Sequence, residues 1–502
     1  MTKSNGTKLS GVTSPYSHVG LTNNTTYYYV ITAVNNNGES AESVQVMATT
    51  LVVVKGVSAT PRDGNNLISW LAVSGAASYN VYWSTVAGVN KTNGNKISGA
   101  TSPLVHTGLS NGAAYYYVIT PQSWRGEGPE SAEVNATPVA AAVMVDPLYA
   151  DQWNLKNTGQ QGVIAPSGSI GEDINVEPAW LTYKGTGVHI AVVDDGLEIG
   201  HEDLVANIAQ TGLSHNYVTG SFDPTNDSTD TASGHGTAVA GIAAARDMNG
   251  LGGRGAAPRA SLLGYNLLQS FTTSNEADAM TRGSPNVHIS NNSWGAPDNA
   301  DLHASASTWR AAIEAGLATG RNGRGTIYTW AAGNGGALDN SNYDGQTNYR
   351  GVIAVAAVND QGKQASYSES GANLWISAPA GEFCDTHTIS TTDRSGGVGL
   401  NTATTAGASD YANPDYTRCM NGTSSAAPAA AGAIALLLEA NPNLGWRDVR
   451  LILAQSARKN DATDPGWTTG VTLPAYHYNH KYGFGVIDAQ AAITLAKTWN
   501  NV

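Results

Sequence analysis

The chain has 502 residues, of which 41% are hydrophobic and 13% are charged, and its formal net charge at pH 7 is −13. This acidic balance excludes nucleic acid as a predicted partner, because neutralising phosphate groups needs a basic face, and it favours metal ions or substrates with Lys and Arg. No apolar run reaches the roughly 18 residues of a membrane span, since the best candidate, residues 426–438, is short and interrupted by Pro428 and Gly432. We therefore expect a soluble protein with no membrane span.

An internal repeat occupies the N-terminal part of the chain. Residues 3–11 are similar to residues 91–99, and residues 27–32 to residues 115–120, so that both pairs lie 88 residues apart. Short alternating segments between Gly, Asn and Ser turns predict strands, and their long period predicts tandem β-sandwiches.

The second copy, residues 51–138, resembles a fibronectin type III module. Trp70 matches the core tryptophan, and Leu109, six residues before Tyr115, matches the tyrosine corner. The first copy, residues 1–50, lacks its first strands, and half a sandwich cannot close a core. We therefore expect the chain to begin within a longer protein, which makes the missing signal peptide uninformative; the alternative is a genuine start with a frayed first segment. Such modules are candidates for binding a surface or a polysaccharide.

After a predicted linker at residues 139–145, residues 146–502 have an α/β pattern. Continuous apolar runs predict buried parallel strands, and helical patterns lie between them. Together they predict one large, doubly wound and mostly parallel sheet. The predicted strands include residues 188–193, 326–332 and 352–358, and the predicted helices include residues 308–318 and 429–439.

Three polar residues in this part have the types and the order that acyl transfer by serine requires. Asp194 follows a predicted strand, His235 begins a predicted helix, and Ser424 precedes another. Each alone has a structural explanation, as a turn residue, a helix-start donor or an N-cap. Together they supply an orienting carboxylate, a base and a nucleophile, in the chain order found in subtilisin.

The surrounding motifs resemble those of the subtilases: Asp-Asp-Gly from Asp194, His-Gly-Thr from His235, and Gly-Thr-Ser-x-Ala-x-Pro around Ser424. The resemblance implies that Asn334, in Ala-Ala-Gly-Asn-Gly-Gly, donates its side-chain amide to a developing oxyanion beside the backbone N–H of Ser424. An Asn in a Gly-rich turn is the alternative explanation.

The chain resembles the kexin and furin branch of the subtilases more closely, over about residues 146–502. Asp-Asp-Gly-Leu-Glu from Asp194, Asn-Ser-Trp-Gly from Asn292 and Asn-Tyr-Asp-Gly from Asn342 carry this resemblance. It implies cleavage after Lys or Arg and a site for a second basic residue. The substrate-binding residues would be Asp298 and Asp344 at the base of the first pocket, Asp195 near the preceding side chain, and Ser293, Trp294 and Gly295 beside the substrate backbone.

The same resemblance implies that the protein binds Ca²⁺. Hard cations take carboxylate and carbonyl oxygens, which an acidic chain supplies, although any single Asp can instead be a solvated turn or cap. Asp223 and Asp227 are candidates for a third site. The first site would use Asp146, Asp203 and Asn249 with the carbonyls of Arg246, Leu251 and Gly253, and the second Asp298, Asp339 and Glu369.

The two cysteines, Cys384 and Cys419, both precede Ser424. In a secreted protein they would form a bridge; two buried thiols are the alternative. Enzymes of the kexin and furin branch also carry an N-terminal prosegment and a β-rich domain after the catalytic one, and this sequence shows neither. We therefore expect folding to depend on an external chaperone or on a prosegment outside this chain.

These observations predict a secreted, calcium-dependent serine endopeptidase that cleaves after basic residues. One alternative is a subtilase of broad specificity, which would lack an acidic first pocket. The other belongs to a different class: an adhesion or polysaccharide-binding protein that acts through its fibronectin-like modules.

Overall fold

The computed structural model describes the chain except residues 1, 23–24, 51–52, 74, 124–125, 140–144, 161–167, 210–211, 227–233, 385–386, 403–409 and 470–475. The chain forms two compact units, Met1–Met144 and Val145–Val502. Their boundary falls in the predicted linker, most of which lies outside the described residues.

The N-terminal unit is built from short strands. β5, β6 and β9 form one antiparallel sheet, and β11, β10, β7 and β8, with β12 paired to β10, form another; β1 pairs with β4 and β2 with β3. The strands are β1 (Thr26–Tyr29), β2 (Val34–Asn35), β3 (Gly38–Glu39), β4 (Val46–Thr49), β5 (Ser58–Arg62), β6 (Asn65–Ser69), β7 (Ser78–Ser84), β8 (Asn95–Ala100), β9 (Leu104–Thr107), β10 (Tyr115–Ser123), β11 (Gly126–Glu127) and β12 (Val134–Ala136).

Only the second half of this unit has a hydrophobic core among the described residues. Ile68, Trp70 and Tyr117 are buried together between the two larger sheets, and the Tyr115 hydroxyl accepts a hydrogen bond from the Ser110 backbone N–H at 3.0 Å. In the first half, apolar side chains such as that of Val34 are exposed. That residues 1–50 are part of a β-sandwich stays a prediction.

The C-terminal unit contains a six-stranded parallel sheet in the order β14-β13-β15-β16-β17-β18. Three of these strands match the predicted runs, to within one residue at each end. The strands of this unit are β13 (His189–Val193), β14 (Ser261–Tyr265), β15 (Ile289–Asn292), β16 (Ile327–Ala331), β17 (Val352–Val358), β18 (Leu374–Pro379), the antiparallel pair β19 (Ile389–Thr392) and β20 (Tyr416–Met420), and the pair β21 (Thr468–Thr469) and β22 (His477–Tyr478).

Helices cover both faces of the sheet, which confirms the doubly wound prediction. Ile190 and Val192 pack in the core that contains α2 and α5, whereas Ala191 and Val193 pack in the core that contains α3 and α4. This alternation explains why β13 is apolar at successive positions. The helices are α1 (Glu177–Trp180), α2 (His235–Ala244), α3 (Thr273–Thr281), α4 (Ser307–Gly323), α5 (Thr423–Ala440), α6 (Trp446–Ser456) and α7 (Ala489–Ala496).

The helix predicted at residues 429–439 is longer in the structure, because α5 begins at Thr423 and continues through Pro428 and Gly432. Pro428 cannot donate to the Ser424 carbonyl one turn earlier, but the Ser293 hydroxyl donates to that carbonyl at 3.0 Å. Gly432 allows close packing, since a Cβ there would lie 2.6 Å from the Ala256 Cβ. Among the described helices α5 alone has the length and hydropathy of a membrane span, and 83% of that window is buried inside the protein, as in a core helix.

A disulfide joins Cys384 to Cys419, whose Cα atoms are 4.4 Å apart. Of the two sequence alternatives, the structure therefore has the bridge. Cys419 lies in β20, four residues before α5 begins, so the bridge anchors the strand that leads to Ser424.

Candidate active site

Asp194 and His235 meet where β13 ends and α2 begins. Asp194 follows the last residue of β13 and is fully buried, and His235 is the first residue of α2. The His235 Nδ1 and Asp194 Oδ1 atoms are 2.8 Å apart. Burial disfavours the charged imidazolium, but the charge and hydrogen bond of Asp194, together with the charge of Asp195, raise the pKa of His235 to about 9. The hydrogen bond to Asp194 holds a proton on Nδ1, so Nε2 is the nitrogen that gains and loses the titrating proton.

Asp195 binds the start of α2 rather than lying free in a cleft. Its carboxylate oxygens accept hydrogen bonds from the backbone N–H groups of His235 at 3.2 Å and Gly236 at 2.7 Å. These are donors that a helix start leaves unpaired, and a carboxylate there is also favoured by the helix dipole. Burial and the neighbouring Asp194 raise the pKa of Asp195 to about 6. The predicted contact of Asp195 with a second basic substrate residue stays a prediction; the contact in the structure is with the backbone at His235.

Ser424 is the second residue of α5 and is partly exposed, whereas Ser425 is fully buried and donates to the Asn421 carbonyl at 3.0 Å. The Ser424 hydroxyl donates to the Ser293 carbonyl at 3.1 Å. Between these described side chains there is no hydrogen bond from Ser424 to His235, so the reacting state needs the hydroxyl to exchange one acceptor for the other. Exposure distinguishes Ser424 from its neighbour as the candidate nucleophile.

Asn334 follows β16 and is oriented by the first residue of α5. Its Oδ1 accepts hydrogen bonds from the Thr423 backbone N–H at 2.8 Å and from the Thr423 hydroxyl at 3.0 Å. The same hydroxyl accepts a hydrogen bond from the Gly333 N–H at 3.2 Å. These bonds occupy the oxygen and fix the orientation of the amide, as an oxyanion donor requires. Sequence reasoning missed Thr423, although it stands beside Ser424 in the Gly-Thr-Ser motif.

The predicted specificity residues lie on neighbouring segments. Trp294 donates its indole N–H to the Val193 carbonyl at 2.9 Å, which fixes the segment after β15. A side chain on Gly295 would begin 3.7 Å from Asp344 Oδ2, so the Asp344 carboxylate lies beside that segment. Asp344 is only 4% exposed, and burial, then Asp339 and Asp298, raise its pKa to about 6 despite the opposing charge of His303.

Asp298, Asp339 and Glu369 form the predicted second metal cluster, with one carboxylate oxygen of each within 4.8 Å of the others. Glu369 Oε2 is buried and has no hydrogen-bond partner. Burial, then Asp339 and Asp298, raise the pKa of Glu369 to about 8, although a hydrogen bond from Gly335 opposes this. Three crowded carboxylates with an unpaired buried oxygen fit the oxygen ligand set of a hard cation.

The predicted first metal site is assembled differently. Asp203 Oδ1 accepts from the Asn249 amide at 2.7 Å, and Asp203 Oδ2 accepts from the Gly253 N–H at 3.2 Å. Asp146 forms an ion pair with Arg254 at 2.7 Å. Burial and the charge of Asp146 raise the pKa of Asp203 to about 7 despite its hydrogen bonds, which shows two carboxylates in close proximity.

Arg254, which sequence reasoning missed, supplies one cationic partner at this first site, and its guanidinium also lies 4.1 Å from the centre of the Tyr149 ring. Among the predicted carbonyl ligands, Arg246 and Leu251 are held in the same loop by their N–H groups, which donate to the Asp203 carbonyl and to Asn249 Oδ1. At the candidate third site, Asp223 Oδ1 accepts from the Thr225 N–H at 3.0 Å, as in a turn. Asp227 lies outside the described residues.

Comparison with known proteins identifies similar sequences over the C-terminal unit. The subtilase family model matches residues 185–485. A PC3-like endoprotease of Hydra vulgaris is 36% identical over 370 residues, which are 71% of this chain and 48% of that protein. A calcium-dependent protease of Nostoc sp. is 36% identical over 362 residues, which are 69% of this chain and 51% of that protein. The chain spans about half the length of these relatives.

A solved structure shares the architecture of this unit. The crystal structure of a serine protease of Aeromonas sobria matches with a TM-score of 0.65 and 34% identity, over 71% of this chain and 68% of that chain. A second crystal structure contains the Aeromonas protease in complex with the chaperone ORF2.

The separate effects of Asp194 and Asp195 on the pKa of His235 should be measurable by titration. In the free protein the imidazole of His235 should titrate near pH 9, so its imidazolium stabilises the fold fully below about pH 6.5 and loses this contribution as the pH rises through 9. Asp194→Asn and Asp195→Asn should each lower this pKa, Asp194→Asn by more, whereas Glu314→Gln on α4 should not change it. NMR titration of the histidine ring protons measures the effect; a wild-type pKa near 6.5 would contradict the coupling.

Proposed function

The chain belongs to the subtilase family, and we propose that it is a serine endopeptidase that cleaves peptide bonds after basic residues and binds Ca²⁺. The observation that carries the proposal is the meeting of a buried Asp194 paired with a partly exposed His235, a partly exposed Ser424 and an amide of fixed orientation, Asn334, at the carboxyl edge of one sheet. Open α/β sheets bind their substrates at this edge.

In the proposed reaction each group has one task. Ser424 Oγ attacks the scissile carbonyl carbon while His235 Nε2 takes its proton, and Asp194 stabilises the imidazolium that forms. The carbonyl oxygen becomes an oxyanion, which the Asn334 amide and the Ser424 N–H stabilise. His235 then returns the proton to the leaving amine, and water releases the acyl group from Ser424 by the same steps.

The pair Ser424 and Ser425 provides a matched test of this mechanism. Ser424→Ala should lower kcat on a peptide substrate by at least about 10⁴-fold, since the nucleophile acts together with its base. Ser425→Ala removes the same atom one residue later, from a buried hydroxyl that donates to the Asn421 carbonyl, and should keep most of the activity. Activity that survives Ser424→Ala but not Ser425→Ala would contradict the assignment.

Asp344 is the basis of the proposed preference for Lys and Arg. It is a buried carboxylate beside Gly295, close to Asp298 and Asp339, and its raised pKa reflects unrelieved burial and repulsion. A substrate cation would relieve this strain through charge-assisted hydrogen bonds, which Arg can make in a forked geometry. An apolar side chain would leave the carboxylate unpaired, so the site should reject it strongly. This argument favours basic specificity over a subtilase of broad specificity.

Specificity should change when Asp344 loses its charge. In wild type, kcat/KM should be much higher for peptides that end in Arg or Lys than for those that end in Leu or Phe. Asp344→Asn should lower kcat/KM for Arg by roughly 10- to 100-fold, the contribution of a charged hydrogen bond, and should affect Phe little. Asp301→Asn, an equal charge change at an exposed neighbouring position, is the control. Comparable wild-type kcat/KM values for the Phe and Arg peptides would contradict a basic specificity and would favour a subtilase of broad specificity.

We propose that Ca²⁺ at Asp298, Asp339 and Glu369 stabilises the loop that presents Asn334. The Asn334 N–H donates to Asp298 Oδ1 at 3.4 Å, and the Gly335 N–H donates to Glu369 Oε1 at 3.0 Å. The loop needs glycine here, since a Cβ at Gly333 would lie 2.4 Å from Glu369 Oε1. Ca²⁺ would screen the repulsion between these three carboxylates. If Ca²⁺ also binds at the first site, Asp146 would have to exchange its ion pair with Arg254 for a bond to the metal.

Calcium should therefore affect both stability and turnover. Excess Ca²⁺ should raise the Tm relative to excess chelator, because a ligand that binds only the folded state stabilises it by about 2.7 kcal/mol at 100 times its Kd. Asp339→Asn should remove most of the rise in Tm that the second site gives, and Asp203→Asn most of the rise that the first site gives. Asp223→Asn should leave both contributions to the Tm unchanged. Chelator should also lower kcat through the Asn334 loop. Equal Tm values with calcium and with chelator would contradict both sites.

The remaining proposals concern the setting of the enzyme. The disulfide favours an oxidising compartment and hence secretion. We also propose that residues 51–138 form a fibronectin type III module, supported by buried Trp70 and by the hydrogen bond from Ser110 to Tyr115; an adhesion role would belong to this unit. Since the Aeromonas protease forms a complex with a chaperone, a separate chaperone is a reasonable folding partner to test.

A further inference from the structure

A cavity of about 350 Å³ lies at the amino edge of the parallel sheet, opposite the edge that carries the candidate active site. Val188, just before β13, and His288, just before β15, line it from the sheet. Arg321 and Arg324, from the end of α4 and the residue after it, line it from one side, and Glu439 of α5 from another. This volume is within the range of small-molecule sites.

Arg321 is a buried cation whose charge is not matched by a carboxylate. It is 4% exposed, and no Asp or Glu among the described residues lies within the 4.0 Å of an ion pair. Its guanidinium makes long hydrogen bonds to the carbonyls of Gly325 at 3.3 Å and Pro442 at 3.5 Å, and its Nε has no partner. Burial and Arg324 lower the pKa of Arg321 to about 10, so it is charged at neutral pH. Burying an unpaired charge is costly.

The backbone at this position is strained as well. Arg321 and Asn322 have φ values of +49° and +57°, where the helical geometry of α4 breaks. Left-handed conformations in residues other than glycine are uncommon and are concentrated at ligand sites, where the surrounding structure holds them. The same residue, Arg321, places its side chain at the wall of the cavity.

Two further donors face the same space. His288 Nδ1 accepts a hydrogen bond from the His189 N–H at 3.0 Å, so its proton is on Nε2. Burial, Arg321 and His189 lower the pKa of His288 to about 4, which keeps the ring neutral. Arg324 donates to the Asn443 side chain at 3.0 Å. The carboxylate of Glu439 is held by the backbone N–H groups of Lys184 and Gly185, which donate to Oε2 at 2.7 and 2.6 Å.

We propose that this cavity binds a small oxyanion, the phosphate or carboxylate group of a solute, between the guanidinium groups of Arg321 and Arg324. An oxyanion would accept from the guanidinium of Arg321, whose hydrogen bonds to the two carbonyls are long, and would provide the countercharge that no ion pair among the described residues supplies. The site is separate from the peptidase chemistry, because its lining precedes the strands whose opposite ends carry Asp194 and the segment from Ser293.

The test is isothermal titration of the full chain with sodium phosphate and with sodium citrate, at constant ionic strength maintained with sodium chloride. The wild type should bind at least one probe saturably, and the two probes distinguish a phosphate from a carboxylate ligand. Arg321→Met should weaken binding by at least about tenfold, the loss of a charge-assisted bidentate contact, and Arg324→Gln by a smaller factor. Arg310→Met, an arginine of α4 that pairs with the Ser305 carbonyl outside the cavity, is the control and should bind as wild type does.

Two results would overturn the proposal. One is the absence of saturable heat for both probes in the wild type; the other is unchanged affinity in Arg321→Met or, if that variant does not fold, in Arg324→Gln. Weakening in Arg310→Met to the same degree as in Arg321→Met would assign the effect to general charge and would also count against the site.

Discussion

The hydrogen bond between Asp194 and His235 requires the end of β13 to meet the start of α2, and the geometry of the site depends on that contact. Two consecutive carboxylates, of which Asp194 is buried and Asp195 half-buried, follow β13, and each needs a different source of positive charge. Asp194 takes it from the imidazole, whereas Asp195 takes it from the unpaired N–H groups of the helix start. One loop thus both aligns the base and attaches the helix that carries it.

The start of α5 joins the remaining groups into one network. Pro428 leaves the Ser424 carbonyl without its helical partner, and Ser293 supplies the missing hydrogen bond from the end of β15. Thr423 bonds to Asn334, and the loop around Asn334 in turn bonds to Asp298 and Glu369. Pro428, which is unfavourable inside a helix by local rules, therefore attaches the proposed nucleophile to the segment proposed to bind the substrate. A cation at the acidic cluster would act on the same network through two backbone hydrogen bonds.

The sequence predicted those features that depend on local pattern or on short motifs. The apolar run before Asp194 indicated a buried strand, which agrees with the structure, whereas the helix predicted after Ser424 begins earlier, at Thr423. The contacts between distant segments were not predictable in this way. The hydrogen bonds of Asp195 to α2 join residues 40 apart, and the pair of Arg254 with Asp146 depends on how two loops fold together. The same holds for Pro428, whose helix-breaking tendency is offset by a partner from another strand.

The two edges of the sheet present opposite electrostatic problems. At the carboxyl edge, Asp344 and Glu369 are carboxylates with too few cationic partners, so their pKa values rise. At the amino edge, Arg321 is a cation with no carboxylate partner in the described chain, and its pKa falls. Both shifts have burial as their first cause, and a ligand of opposite charge would relieve both. The proposals of a basic substrate and Ca²⁺ at the carboxyl edge, and of an oxyanion at the amino edge, rest on this contrast. The net charge of −13 does not reveal this contrast, because it sums all charges of the chain, most of which are solvated at the surface.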